Sequence, residues 1–312
     1  MQASPAQEPG QAKTAARTAR TGPWLAATTG VVAIAAVAIL TPPDSFKLGT
    51  MLESSSIGMR KPDAVLAFSS PLKLHQHFKT IGYDLEAVRR SGSPVPRIFL
   101  ARVPDGLAAV KQSSQRKDVF LKVMLPLILE TNERVQRKRA HLLMFDAKLA
   151  AGQPLSARQQ RRLEAIAAEY RVDPDRIDIL LRRVDAVPPS LALAQAAIES
   201  GWGTSRFVRE GNAVFGQWTW GNDAGIVPLG REDGKTHKIK SFAQLKDSVR
   251  SYVHNLNTHK AYRGFRETRL LMRQEGDRLS GLGLVPTMGS YSEIRGKYMS
   301  LLRNIITTNE LQ

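Results

Sequence analysis

The sequence predicts a mainly α protein with one small β excursion, and three observations carry that prediction. From Ser113 onward apolar residues recur at helical spacing. Residues 191–198 are nearly apolar all round, the mark of a buried helix. Residues 211–241, by contrast, are rich in Gly and β-formers, including Val214-Phe215-Gly216-Gln217-Trp218-Thr219-Trp220. With 312 residues and 42% hydrophobic content, the chain can bury a substantial core.

In chain order, residues 1–43 read as a membrane-targeting segment. Glu8, Lys13, Arg17 and Arg20 are followed by no charge until Asp44, and the apolar centre of that run is 24–40. As a helix these residues rise about 26 Å at 1.5 Å each, near the thickness of a thin bilayer. The segment is either an N-terminal anchor in the inner membrane or a signal peptide cleaved after Ala36-Val37-Ala38, and both export the remainder to the periplasm or cell envelope. Pro42-Pro43 ends it, and residues 44–112, with scattered Gly, Ser and Pro, read as a linker with little firm structure. His75-x-His77 falls there and lacks a third ligand, so it reads as surface rather than metal.

Residues 113–186 read as a helical extension packing on the catalytic unit at 187–308. Val119, Phe120, Val123, Leu127 and Ile128 share one face, and Val135, Leu142 and Leu149 stand seven apart. Pro126 is expected to kink this helix or to start a second one. Gly152-Gln153-Pro154 is a break, Ser156 caps a helix running to about Tyr170, and a short helix covers 176–183. Residues 187–308 form the last unit. Its buried first helix stops at Gly201, which suits the left-handed C-terminal cap, and further helices are expected at 242–257, about 259–275 and about 292–307.

Charge and composition narrow the function. Forty-five Lys plus Arg against 28 Asp plus Glu give a net charge of +17 and favour an anionic partner. Export excludes nucleic acid and leaves anionic lipid or an acidic wall, of which the wall suits basic residues scattered along the chain. The absence of cysteine excludes a disulfide scaffold, a thiolate nucleophile and Cys-ligated metal. Neither a metal nor a cofactor is expected; Gly281-x-Gly283 follows no strand and is no evidence for nucleotide.

Glu199 is the most informative position. A carboxylate closing a buried helix is desolvated and sits at the negative end of the helix dipole, and both effects favour its protonated form, as a general acid requires. Trp202 would supply an apolar wall, and Gly201 and Gly203 would let a chain-like substrate approach the backbone. The competing reading is a partly exposed Glu paired with Arg206 or Arg209.

The string Ala194-Gln195-Ala196-Ala197-Ile198-Glu199-Ser200-Gly201-Trp202-Gly203-Thr204-Ser205, followed by Asn212-Ala213-Val214-Phe215-Gly216, resembles the catalytic helix of bacterial peptidoglycan glucosaminidases related to the flagellar muramidase domain. Within that family the resemblance runs to its Bax-like branch, through 191–207, Thr236-His237 and 247–259, and covers about 97–308. The resemblance implies a lysozyme-like α domain, catalytic acid at Glu199 and an active-site tyrosine at Tyr291 in Gly289-Ser290-Tyr291-Ser292. It also implies a second carboxylate on the β excursion, for which Glu232 and Asp233 are nearest, although Gly230-Arg231-Glu232-Asp233-Gly234 reads equally as an exposed turn.

Trp202, Phe215, Gln217 and Trp218 are the expected substrate-binding residues, with Trp220 alongside, the aromatics either stacking on sugar rings or closing the core. His254, Asn255 and His259 are expected to fix a helix–loop junction. The resulting expectation is an exported endo-β-N-acetylglucosaminidase acting on peptidoglycan glycan strands. The alternatives are a muramidase or lytic transglycosylase, and a wall-binding or regulatory protein without turnover.

Overall fold

The computed structural model describes residues 65–312, apart from 222, 232–233 and 292–294. The 1–43 segment, Glu232 and Asp233 therefore lie outside the described residues. Among the described residues no helix is long and apolar enough to cross a membrane.

The first elements correct the expectation of a loose linker. Strand β1 (Val65–Leu66) pairs in parallel with β2 (Phe99–Leu100), and between them lie α1 (Pro71–Thr80) and α2 (Leu85–Ser91). Ser70 caps α1 by accepting from the Lys73 amide, and Asp84 caps α2 by accepting from the Glu86 amide. Leu74 and Phe78, one helical turn apart, are fully buried. Two short helices fold here because long-range packing, not their own propensity, supplies their stability.

Helix α3 (Ser113–Ala150) continues for 38 residues through Pro126, so the proline does not start a second helix. Residues buried on both sides of it, from Val119 to Ile128 and again at Val135, offset the roughly 3 kcal/mol that an internal proline costs. Helix α4 (Ala157–Tyr170) opens on a complete capping box between Ser156 and Gln159. Then come α5 (Ile177–Arg183) and α6 (Pro189–Ser200), the latter with Pro189 in its first turn and Gly201 left-handed at its end.

Helix α7 (Arg206–Gly211) leads into a three-stranded antiparallel sheet of β3 (Trp218–Thr219), β4 (Gly225–Ile226) and β5 (Lys238–Lys240), with β5 central. Trp218 opposes Ile239, and Ile226 opposes Ile239 from the other side. The chain finishes with α8 (Leu245–Thr258), a 3₁₀ turn at Lys260–Tyr262, α9 (Arg263–Gln274), α10 (Gly281–Leu284), a 3₁₀ stretch at Val285–Tyr291 and α11 (Arg295–Thr308).

Helix α6 is the centre of the packing: α3, α10 and α11 all lie against it, and α8 packs on α3. One hydrophobic cluster joins Phe78, Phe120, Ile128, Leu191, Ala194, Tyr252, Phe265 and Leu302. The turn before α6 is fastened by a buried charge cluster. Arg269, 1% exposed, donates to the carbonyls of Arg182, Arg183, Asp185 and Ala186 and to Asn257 Oδ1, while Arg273 grips the Asp185 carboxylate at 3.0 and 3.1 Å.

Candidate active site

Glu199 sits in the last turn of α6, where the helix is no longer apolar all round, and faces a cleft of about 890 Å³. The cleft is walled by Phe215, Gly216, Trp218, Tyr262 and Tyr291, with Gln217, Trp220, Asn255 and His259 also lining it. The carboxyl is half-buried. Its Oε1 accepts from the Tyr298 hydroxyl at 2.8 Å. That hydroxyl accepts from Gln195 Nε2 at 3.0 Å, and Gln195 Oε1 accepts from the Tyr252 hydroxyl at 2.6 Å. Gln195, one helical turn before Glu199, is fully buried and thus spends its amide on a tyrosine at either end.

Among the described residues no arginine holds Glu199. Arg206 pairs with Glu210 at 3.1 Å and donates to the Val227 carbonyl, and Arg209 is exposed, so the ion pair considered from sequence does not form. Burial pushes the Glu199 carboxyl above its ordinary range, and the hydrogen bond from Tyr298 pulls only partly against it. The surrounding phenols are protonated: burial raises Tyr298, Tyr252 and Tyr291, and takes Tyr262 to about 12.

The cleft wall is built from stacked rings. Tyr291 and Tyr298 lie parallel with centroids 5.7 Å apart, and Phe215 lies on Tyr252 at 3.9 Å. Tyr291 is brought to the cleft as the resemblance implies, but its hydroxyl donates to the Phe215 carbonyl at 3.1 Å and so ties the Val285–Tyr291 stretch to the cleft wall. Gly216 turns the chain beside the carboxyl. Its φ is +58°, and a Cβ there would stand 3.7 Å from Glu199 Oε2.

Of the expected binding residues, Trp218 is 55% exposed and stacks on His237 at 4.5 Å, with Trp220, 58% exposed, edge-on to it at 6.2 Å. Phe215 is buried, so its ring closes the core while its carbonyl serves the cleft. Gln217 Oε1 is buried and has no partner among the described residues. Trp202 does not line the cleft. Its backbone is left-handed, and its ring packs edge-on against Phe120 at 6.0 Å beneath Lys117 Nζ at 4.8 Å. Gly203 packs equally closely, since a Cβ there would meet Phe120 at 2.8 Å. The two residues thus dock the end of α6 on α3.

Among the histidines, His259 caps the Lys260–Tyr262 turn through Nδ1 and lines the cleft beside Asn255, and the His254 ring lies 5.6 Å from that of Tyr170. His75 approaches Asp118 at 3.5 Å. No group of three His, Asp or Glu suited to a metal occurs among the described residues.

Residues 179–311 match the family model described as mannosyl-glycoprotein endo-beta-N-acetylglucosaminidase. That match and the mainly α fold mark the chain as a glycosidase with a glucosaminidase-family domain. The chain is 32% identical to protein bax of Escherichia coli strain K12 over 214 residues, 67% of this chain and 74% of the relative. It belongs to the family of that protein. A solved structure, the catalytic domain of the autolysin Auto from Listeria monocytogenes, aligns at 19% identity with a TM-score of 0.29, over 54% of this chain and 94% of that one.

Proposed function

We propose that the protein is an exported peptidoglycan hydrolase, an endo-β-N-acetylglucosaminidase with Glu199 as its general acid. One observation carries the reading: a half-buried carboxyl, raised by burial and without a cationic partner among the described residues, opens onto a cleft edged by exposed tryptophans. Tyr298 occupies Oε1, so Oε2, beside Gly216, is the oxygen that holds the proton and delivers it to the glycosidic oxygen. Trp218 and Trp220 present faces on which sugar rings stack. Gln217 lines the same cleft, where its side-chain amide can hydrogen-bond a sugar hydroxyl or an N-acetyl group.

The departing sugar leaves an oxocarbenium-like centre. Glu232, the second carboxylate implied by the family resemblance, or the substrate's own 2-acetamido oxygen then stabilises or hydrates it. Export rests on the basic start and uncharged run of residues 1–43, and a wall substrate lies outside the cytoplasm.

Digestion of purified peptidoglycan tests the reading. New reducing-end N-acetylglucosamine is expected. Reducing-end N-acetylmuramic acid or 1,6-anhydro ends would replace it with muramidase or transglycosylase action. Absence of all three from wild-type digests would leave a wall-binding protein.

A further inference from the structure

Helices α3 and α4 flank an open groove, about 460 Å³, that shares no residue with the Glu199 cleft. Arg134, Arg137, Lys138 and His141 of α3 and Arg162 of α4 line it, with Glu169 as its one acid. Two of these cations are already answered. Lys138 grips Glu169 at 2.5 and 2.6 Å, and Arg134 pairs with Glu130 one turn earlier. The other three groups meet no carboxylate: Arg137 is exposed without an acidic partner among the described residues, and Arg162 Nη1 rests 2.5 Å from His141 Nε2.

A guanidinium only donates, so His141 must accept there and stands neutral, its ring fixed by stacking on Phe145 at 6.1 Å. Of the four Lys and Arg that line the groove, Arg137 and Arg162 have no carboxylate partner among the described residues. Positive charge is thus concentrated at this groove well beyond what the chain's own acids balance.

We propose that the α3–α4 groove binds a phosphate ester, held by Arg137, His141 and Arg162. Donors converge from two helices and three side chains, which suits a tetrahedral group with several free oxygens. A planar carboxylate is satisfied by one guanidinium fork. On binding, Arg162 turns its N–H groups to the phosphate, and His141 gains a proton and donates to it from Nε2. In the free protein, burial and then Arg162 hold His141 below its ordinary value. The charged groups facing it are Arg134, Arg137 and Lys138 from α3 and Arg162 and Glu169 from α4. Affinity should therefore rise as pH falls, because the bound anion favours the protonated ring that those cations disfavour.

The test is equilibrium binding of labelled long-chain polyphosphate, whose internal groups keep their charge between pH 5 and 8, to the full chain in neutral detergent. Arg137→Gln with Arg162→Gln should weaken binding at least about tenfold. Arg278→Gln with Arg303→Gln, which removes equal charge from exposed positions elsewhere, should weaken it less than about threefold. Wild type should bind more tightly at pH 6 than at pH 8, and His141→Gln should lose that difference.

Equal loss from both arginine pairs, or an unchanged pH dependence in His141→Gln, would overturn the proposal. So would competition by polyglutamate as effective as that by unlabelled polyphosphate. Inorganic phosphate and phosphatidylglycerol vesicles, each added as competitor, separate the sources of the phosphate. Displacement by vesicles that the arginine pair abolishes points to a lipid headgroup, and displacement by inorganic phosphate alone points to a soluble or polymer-borne ester.

Discussion

The Tyr298 hydroxyl donates to Glu199 Oε1 at 2.8 Å across 99 positions of the chain, joining the last helix to the end of the buried one. The bond fixes one carboxyl oxygen and leaves the other facing the cleft. It also sets the proton affinity of the acid, since it works against the upward push of burial.

Glu199→Gln keeps the shape and accepts the same bond but releases no proton. Turnover of peptidoglycan should fall by roughly 10²–10⁴-fold, measured as reducing ends released, while wall binding persists.

The same substitution should stabilise the fold at neutral pH. A carboxyl raised in the folded state stabilises fully below its unfolded value and progressively less as pH rises through its folded one. Thermal unfolding should therefore show the Gln variant above wild type at pH 7, and the gap should close below about pH 4. A gap that is the same at both pH values would remove Glu199 from the role of buried acid.

Tyr298→Phe removes the donor and keeps the ring. The Glu199 carboxyl should then rise further, so the alkaline limb of kcat/KM should move to higher pH. Tyr291→Phe, whose hydroxyl holds the Phe215 carbonyl instead, should lower activity by about tenfold at most without moving that limb.

Trp218→Ala and Trp220→Ala act on exposed rings at the edge of the cleft. Each should raise KM for glycan strands by about tenfold with kcat little changed, the signature of lost stacking in ground and transition state alike.

Arg269→Met should destabilise the protein by about 3–5 kcal/mol in urea unfolding, because it leaves four carbonyls from the end of α5 to the turn before α6, and Asn257 Oδ1, without their donor. Burial pushes the Asp185 carboxyl up, but Arg273, Arg269 and Arg139 together bring it below its ordinary range. Its stabilisation is thus present at neutral pH and is lost as acid protonates it.

Legibility in the sequence tracks the physics of each signal. Helix α6 and its Gly201 stop were readable because a continuous apolar run and a left-handed cap are both local, and Ser156 announced α4 for the same reason. Glu199 was readable from its place at the end of such a run. Tyr298 and Tyr252 were not, because their meeting at Gln195 is made by α8 and α11 converging on α6, which no spacing records. Gln195 carried a faint sign, a lone amide one turn before Glu199 in an apolar helix. Helices α1 and α2 were read as linker, since ten- and seven-residue helices have little periodicity of their own and take their stability from a distant core. The packing of Trp202 on Phe120 was not readable, because its left-handed backbone and the partner on α3 leave no mark in the local sequence.

The docking of Trp202 and Gly203 onto Phe120 also bears on how such a chain is inherited. The stretch that matches the glucosaminidase family begins at residue 179, yet the end of its central helix rests on the Phe120 ring, which lies outside that stretch. Recombination that grafted the matching stretch alone onto another protein would carry the acid without the surface that seats it. Positions 120 and 203 are thus coupled across that boundary: a side chain at 203 demands a smaller one at 120.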